Sequence, residues 1–342
     1  MYLDKNGIYA SHPNPLHGDD QLGPRQFWCS TQIRLPLAAV AIALLVLSLA
    51  LQLFLDESAH AGEERGDTAL MAAVRQGDLA RIQVLLDHGA DPNVSNEFGT
   101  TPLLFSAAQS VKGQAQPISG QVIKLLLQHG ANVNAQAING RNALMAAAGS
   151  GSIENVQILL AAGANPNLQS KNGDSALLEA TARGHTDVVI ALLLADANAN
   201  LKDINGQTPL MVAIRQAPQY SRVRSPYEVI ADALLAHGAN PDIRDHNGQS
   251  PVTLVAAGDK NVLIYPLIDH HANINVTDPT AAGATPLIIA ARHGNTALVK
   301  ALLRAHPDLT YRDQNGETAL EYASQLHFSE IVTLLSHAGA HN

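Results

Sequence analysis

Apolar positions fall along this chain in two patterns. From Leu35 to Leu55 they form one unbroken run, LPLAAVAIALLVLSLALQLFL, with Ser48 and Gln52 as its polar side chains and no charge. As a helix this run is about 32 Å long at about 1.5 Å per residue, which matches a hydrocarbon core of about 30 Å. Pro36 sits in the first turn, where its missing N–H has no intrahelical partner. A buried core helix would carry a polar stripe, and this run has none. Residues 35–55 are therefore expected to form a transmembrane helix or signal anchor. Residues 1–34 show no apolar period and read as a disordered tail, and 56–65 as a linker.

After Gly66 the pattern changes to short apolar clusters at helical spacing, punctuated by Gly, Asn and Asp. Aligned on itself, the chain repeats from Gly66, Gly99, Gly140, Gly173, Gly206, Gly248, Gly283 and Gly316. The spacings are 33, 41, 33, 33, 42, 35 and 33, one unit length with three insertions. Each unit opens with Gly, then a Thr/Ser-Pro/Ala-Leu step, and closes near Gly-Ala-Asn/Asp. The hydroxyl caps a first helix, and Pro is preorganised at its first position. Leu70, Leu103, Leu144, Leu177, Leu210, Leu287 and Leu320 then point into a stack. Runs such as Val84-Leu85-Leu86, Lys124-Leu125-Leu126-Leu127 and Ile158-Leu159-Leu160 supply a second helix. Gly89, Gly130, Gly163, Gly238 and Gly339 follow where a left-handed residue ends a helix at least cost. Asp196 and His306-Pro307 stand there in two units, which are expected to have weaker helix ends. No unit can bury its own apolar face, so neighbours must cover it.

This period resembles ankyrin repeats. The likeness is carried by Thr101-Pro102-Leu103, Thr208-Pro209-Leu210 and Thr285-Pro286-Leu287, with His88-Gly89-Ala90-Asp91-Pro92-Asn93 and His237-Gly238-Ala239-Asn240-Pro241-Asp242. It covers residues 66–342. The resemblance implies an all-α fold, an ankyrin-repeat solenoid of about eight helix-turn-helix units with hairpin loops, here preceded by one transmembrane helix. Such repeats commonly carry His directly after Thr-Pro-Leu. Here that position is Met71, Leu104, Met145, Leu178, Met211, Thr253, Ile288 and Glu321, so the side-chain bridge between neighbouring turns is expected to give way to apolar packing.

Charge bears on orientation and on partners. Arg25 and Arg34 precede the apolar run, whereas Asp56, Glu57, Glu63 and Glu64 follow it with Arg65, so the N-terminus is expected inside and the repeats on the exported side. That side is the periplasm in a bacterium or a lumen in a eukaryote. Ala59-His60-Ala61 offers a signal-peptidase site, and cleavage near Ala61 would leave a soluble exported protein instead. Residues 1–34 carry three basic and three acidic residues, and 56–342 hold the whole net charge of −9. A groove that tracks phosphates needs clustered cations, so nucleic acid is excluded as a partner. The single cysteine, Cys29, supports neither a disulfide framework nor a cysteine-rich zinc site. The 15 histidines lie mostly at helix ends, one per repeat. Metal-protease, phosphate-loop and serine-hydrolase motifs are absent, so no enzyme activity, cofactor, metal site or small-molecule substrate is expected.

In ankyrin arrays the partner usually meets the hairpin tips and the exposed face of the first helices. One residue per unit falls at the first such position: Ala72, Phe105, Ala146, Glu179, Val212, Leu254, Ile289 and Tyr322. Most are large and apolar, so a stripe receiving a hydrophobic segment of another protein is expected there. The two long insertions, near Gln109–Gly120 and Gln216–Pro226, interrupt the turn between paired helices. The second places Tyr220, Arg222, Arg224 and Tyr227 together, an aromatic and basic mixture common at contact hot spots. Two function classes follow: a protein-interaction scaffold held at the membrane, or a structural spacer with no specific client.

Overall fold

The computed structural model describes residues 68–108, 117–219 and 223–341. The tail 1–34, the apolar run 35–55 and the linker 56–65 lie outside them. Among the described residues no helix is long and apolar enough to cross a membrane.

Every cap signal in the repeats opens a helix. The side chains of Thr68, Asn142, Ser175, Thr208, Ser250, Thr285 and Thr318 each accept a hydrogen bond from the amide three residues on, and Leu104 N donates to Thr101 Oγ1 at 3.2 Å. They start eight first helices: α1 (Ala69–Gln76), α3 (Pro102–Ala108), α5 (Ala143–Ser150), α7 (Ala176–Ala182), α9 (Pro209–Gln216), α11 (Pro251–Ala257), α13 (Pro286–Arg292) and α15 (Ala319–Gln325). Each pairs with a second helix: α2 (Leu79–Asp87), α4 (Pro117–Gln128), α6 (Ile153–Ala161), α8 (Thr186–Leu194), α10 (Pro226–Ala236), α12 (Ile264–Asp269), α14 (Thr296–Leu303) and α16 (Ser329–His337). First helices stack on first helices and second on second, in chain order. The described residues form no strand beyond two isolated bridges, Gln136 with Asn142 and Asp278 with Ala284.

The core runs through the stack between the two helix layers. The seven leucines that follow the caps are at most 5% exposed, and Ile82, Leu126, Leu159, Leu192, Leu234 and Leu302 face them from the second helices, all buried. Met71, Leu104, Met145, Leu178, Met211, Thr253 and Ile288 are buried as well, so apolar packing does occupy the position that histidine commonly holds. The side-chain bridge between neighbouring turns is not lost, however. It comes from the base of the hairpin: Gln136 Nε2 donates to Gly140 O and, one repeat on, to Gln169 O. Gln169 repeats this with Gly173 O and Lys202 O, Lys202 Nζ reaches Arg244 O, and Arg244 reaches Gly248 O and Thr277 O.

A second ladder ties the far ends of the repeats. Asn93 Nδ2 donates to Gly130 O while its Oδ1 accepts from Asn132 N. The same pair of bonds joins Asn134 to Gly163 and Asn165, Asn167 to Asp196 and Asn198, and Asn200 to Gly238 and Asn240. Asp242, a carboxylate with no donor, accepts from Asn273 N, and Asn275 accepts from Asp308 N.

The fifth repeat lacks a glycine after its first helix, and a lysine of the next repeat completes it. Lys260 Nζ donates to Ile214 O, Arg215 O and Ala217 O at 2.6–2.7 Å, satisfying carbonyls at a helix C-terminus where cations are also favoured. Burial, with positive Arg215 beside it, holds the Lys260 ammonium below its ordinary pKa.

Left-handed backbone is adopted after each second helix whether or not glycine is there. Asp196, His271 and His306 have φ of 58°, 59° and 54°. An L-residue in this region costs about 1–2 kcal/mol, part of which glycine recovers at its own entropic cost of about 0.5–1 kcal/mol. Asp196→Gly or His306→Gly is therefore expected to stabilise by about 0.5–1 kcal/mol, read as a higher urea midpoint. Gly140 shows the opposite constraint: φ is +79° and a Cβ would lie 2.8 Å from Lys171 N of the next hairpin. Gly140→Ala is expected to cost about 2–4 kcal/mol, strain and overpacking together.

The end of the array, from the hairpin that closes repeat 7 into repeat 8, concentrates carboxylates held in their charged form. Thr310, through its hydroxyl and amide, lowers the Asp308 pKa. Burial pushes Asp313 up, but hydrogen bonds from Tyr322 Oη and the Glu317 and Asn315 amides outweigh it and leave it lowered. The Thr318 amide, then Arg312, lowers Glu321. A lowered carboxylate contributes stability that is complete above its unfolded pKa and is lost as pH falls through its folded value. Acidification below the ordinary carboxylate range of 3.8–4.5 is therefore expected to open α15 and α16 before α5 and α7. Hydrogen exchange at pH 3 and pH 7 checks this; uniform loss of protection along the array would contradict it.

Candidate protein-binding face

The seventh residue of each first helix decides where the exposed side of that layer is open. In order these are Arg75, Ala108, Gly149, Ala182, Arg215, Ala257, Arg292 and Gln325. Three small residues in succession, in repeats 2–4, lie between two arginines. Above them opens a groove of about 970 Å³, bounded by first helices and hairpin tips. Phe105, Ala146 and Gly149 line its helical side, Phe98, Asn139 and Arg141 the side of the tips, and Arg183 with His185 the end at repeat 4.

The apolar part of this lining is held by a cation. The Arg75 guanidinium lies 5.3 Å from the centre of the Phe105 ring, a cation–π contact that positions the half-buried ring. Phe98 remains 54% exposed at its tip. The polar part is built around Glu179, whose carboxylate meets Arg141 at 2.7 Å and Arg183 at 3.5 Å. Two guanidiniums from successive repeats thus share one largely covered carboxylate. His185 Nε2 lies 3.3 Å from Gly149 O across the same boundary.

The eight positions of the expected stripe do not share one environment. Phe105 and Ala146 line the groove, and Glu179 organises its arginines. Ala72 and Val212 are half-buried. Tyr322 is half-buried but tied inward, its Oη donating to Asp313 at 2.8 Å and accepting from Asn315 Nδ2 at 2.9 Å. Leu254 and Ile289 correct the expectation: at 6% and 1% exposure they belong to the continuous core, so no apolar stripe extends over repeats 6 and 7. The second insertion is only partly described. Tyr220 and Arg222 lie outside the described residues, Arg224 is paired with Asp232, and Tyr227 packs on Gly184 and bonds Ala182 O of repeat 4. Arg141, Arg183, His185 and Phe98 were not singled out by the sequence. The signal available for them was the row of small seventh residues between Arg75 and Arg215.

A family profile for ankyrin repeats (three copies) matches residues 41–137, 115–170, 144–245 and 253–342. The chain belongs to the ankyrin-repeat family. Parts of this ankyrin array are similar to the regulatory protein SWI6 of Kluyveromyces lactis, 41% identical over 56 residues, 16% of this chain and 7% of that protein. They are also similar to the B-cell lymphoma 3 protein homolog of Mus musculus, 38% identical over 93 residues, 27% of this chain and 19% of that protein. A third relative is the 2-5A-dependent ribonuclease of Mus musculus, 37% identical over 82 residues, 24% of this chain and 10% of that protein. The matched segments span less than a fifth of each relative. Among the described residues of the ankyrin array, no group of three or more His, Cys, Asp and Glu is placed to hold a metal ion.

The burial of the fourth positions separates surface from core substitutions. Leu254→Ser is expected to cost about 2–5 kcal/mol, because it leaves a cavity and a hydroxyl in the core. Val212→Ser, at a half-buried position, is expected to cost less than half as much. Thermal and urea melts of the two variants check the order, and a reversal would place Leu254 at the surface.

Proposed function

We propose that this chain is a non-catalytic scaffold that binds another protein through the groove of repeats 2–4 and is held at a membrane by residues 35–55. Ankyrin repeats generally mediate protein–protein interaction, and membership of that family supports the class of function. The open groove carries the reading for this chain. Concave surface that mixes aromatic and arginine side chains is the composition of protein contact sites, and Ala108 and Ala182 are small at exposed positions, while at Gly149 a Cβ would lie 3.0 Å from the Glu179 carboxylate that ties the two arginines.

The membrane half of the proposal rests on the uncharged run Leu35–Leu55 and the arginines before it. It places the repeats on the exported side of an inner or plasma membrane, the periplasm if the host is a bacterium. Cleavage near Ala61 would give the same scaffold as a soluble exported protein.

One experiment in the native host tests both halves. A photocrosslinking residue at Ser150, which lines the groove, is expected to give discrete protein adducts that are lost when Ala108→Trp fills it. The same residue at Leu194, 72% exposed on a second helix, is expected to give none. Equal adducts from both positions, or none from either, would favour the structural spacer. Protease added outside the membrane that residues 35–55 are proposed to cross should digest the repeats without that membrane being opened; protection until it is opened would reverse the topology.

A further inference from the structure

The groove has a chemistry of its own, and it differs from the rest of the chain. The protein carries a net charge of −9, yet among the described residues the groove is lined by two arginines and a histidine and by no carboxylate. We infer that its occupant is an internal peptide segment of about six residues, with one Asp or Glu side chain about three residues from a large apolar one. This rests on the protein-binding reading above and adds the chemistry of the partner.

Charge balance argues for a single carboxylate. Arg141 and Arg183 together carry two positive charges against the one negative charge of Glu179, leaving one to be neutralised. A phosphate group, with about −1.5 to −2 charges, overshoots it; a carboxylate matches it. Each guanidinium has five N–H donors in a planar fork suited to carboxylate, and Glu179 fixes both forks without consuming them. The Arg141 and Glu179 side chains are only 36% and 11% exposed. A ligand therefore reaches the pair most readily on a side-chain stem, which favours Asp or Glu over a chain terminus.

Spacing sets the rest of the motif. The arginine pair joins repeats 3 and 4, and the Phe105 ring lies in repeat 2 with Ala146 between. Adjacent helix layers are about 10 Å apart, so the groove runs about 20 Å, roughly six residues of extended chain at about 3.3 Å each. One layer separates the Phe105 ring in repeat 2 from Arg141 in repeat 3, about three residues on the same scale.

The test uses the full-length protein in detergent and a bead library of heptapeptides, acetylated and amidated so that neither end is charged. Recovered sequences are expected to pair an acid with a large apolar residue about three positions away. Replacing that acid by its amide should weaken binding 10- to 100-fold, measured by fluorescence polarisation. Arg183→Gln, at a side chain 56% exposed and so tolerated by the fold, should weaken it comparably, and on this variant the acid-to-amide change should matter less than 2-fold. Arg141→Gln is expected to agree, with an unchanged melting curve as the check on folding. Peptides that lose binding in Ala108→Trp but carry no acid, or that keep their acid effect on Arg183→Gln, would overturn the inference and leave the groove as a binding site. Peptides indifferent to Ala108→Trp, or no enrichment at all, would overturn the groove reading with it.

Discussion

One side-chain amide from each of the first four repeats holds the described array in register with the repeat that follows. An Asn at the end of a repeat donates to the carbonyl that terminates the next repeat's second helix and accepts the amide two residues beyond it. Helix ends leave such carbonyls without partners, so each repeat depends on its neighbour for polar satisfaction as well as for apolar cover. The rung from Asn93 spans 39 positions and that from Asn200 spans 40, against 31 for Asn134 and Asn167. The long insertions are tolerated because they enter between paired helices, away from this ladder. Where the chain departs from the pattern, chemistry decides what is kept: at Asp242 only the accepting half of the rung is possible.

The groove follows from the same regularity broken in one row. Stacked first helices present their seventh residues side by side, and an arginine there covers the surface while Ala or Gly leaves it open. Arg75 turns onto the Phe105 ring. Arg215 is drawn to the buried carboxylate of Asp245 at 3.0 Å. Between them the surface is open, and Glu179 draws Arg141 and Arg183 from two repeats to its edge. The function proposed for the array thus rests on a local change of side-chain size and charge within an otherwise uniform scaffold, as is usual when one fold hosts many partners. The relatives share segments of this scaffold and differ over most of their length, so their likeness carries the fold and the class of function.

Much of the fold was legible because its determinants are local. A cap hydroxyl, a proline at the first helical position, leucines at helical spacing and a glycine in left-handed backbone each act within a few residues, and repetition at a period near 33 makes them unmistakable. Even the two units without a terminating glycine were identifiable, and Asp196 and His306 take the left-handed conformation that the stack imposes. His271 does the same; its place before Ala272-Asn273 matches Asp196 before Ala197-Asn198, a signal the sequence reading did not use.

What the sequence determined by itself is the number of repeats, the position of each helix pair, the core leucines and the presence of an apolar run before them. Tertiary structure alone decided which fourth positions are free, since Leu254 and Ile289 have the same place in their repeats as Phe105 and yet are buried in the shared core. It alone assembled the groove, because Ala108, Gly149 and Ala182 are 41 and 33 residues apart, and the tie between Arg141, Glu179 and Arg183 exists only once repeats 3 and 4 are stacked. The physical reason is one of range. Caps and periodicity act along the chain, whereas exposure and charge pairing depend on what the neighbouring repeat places opposite.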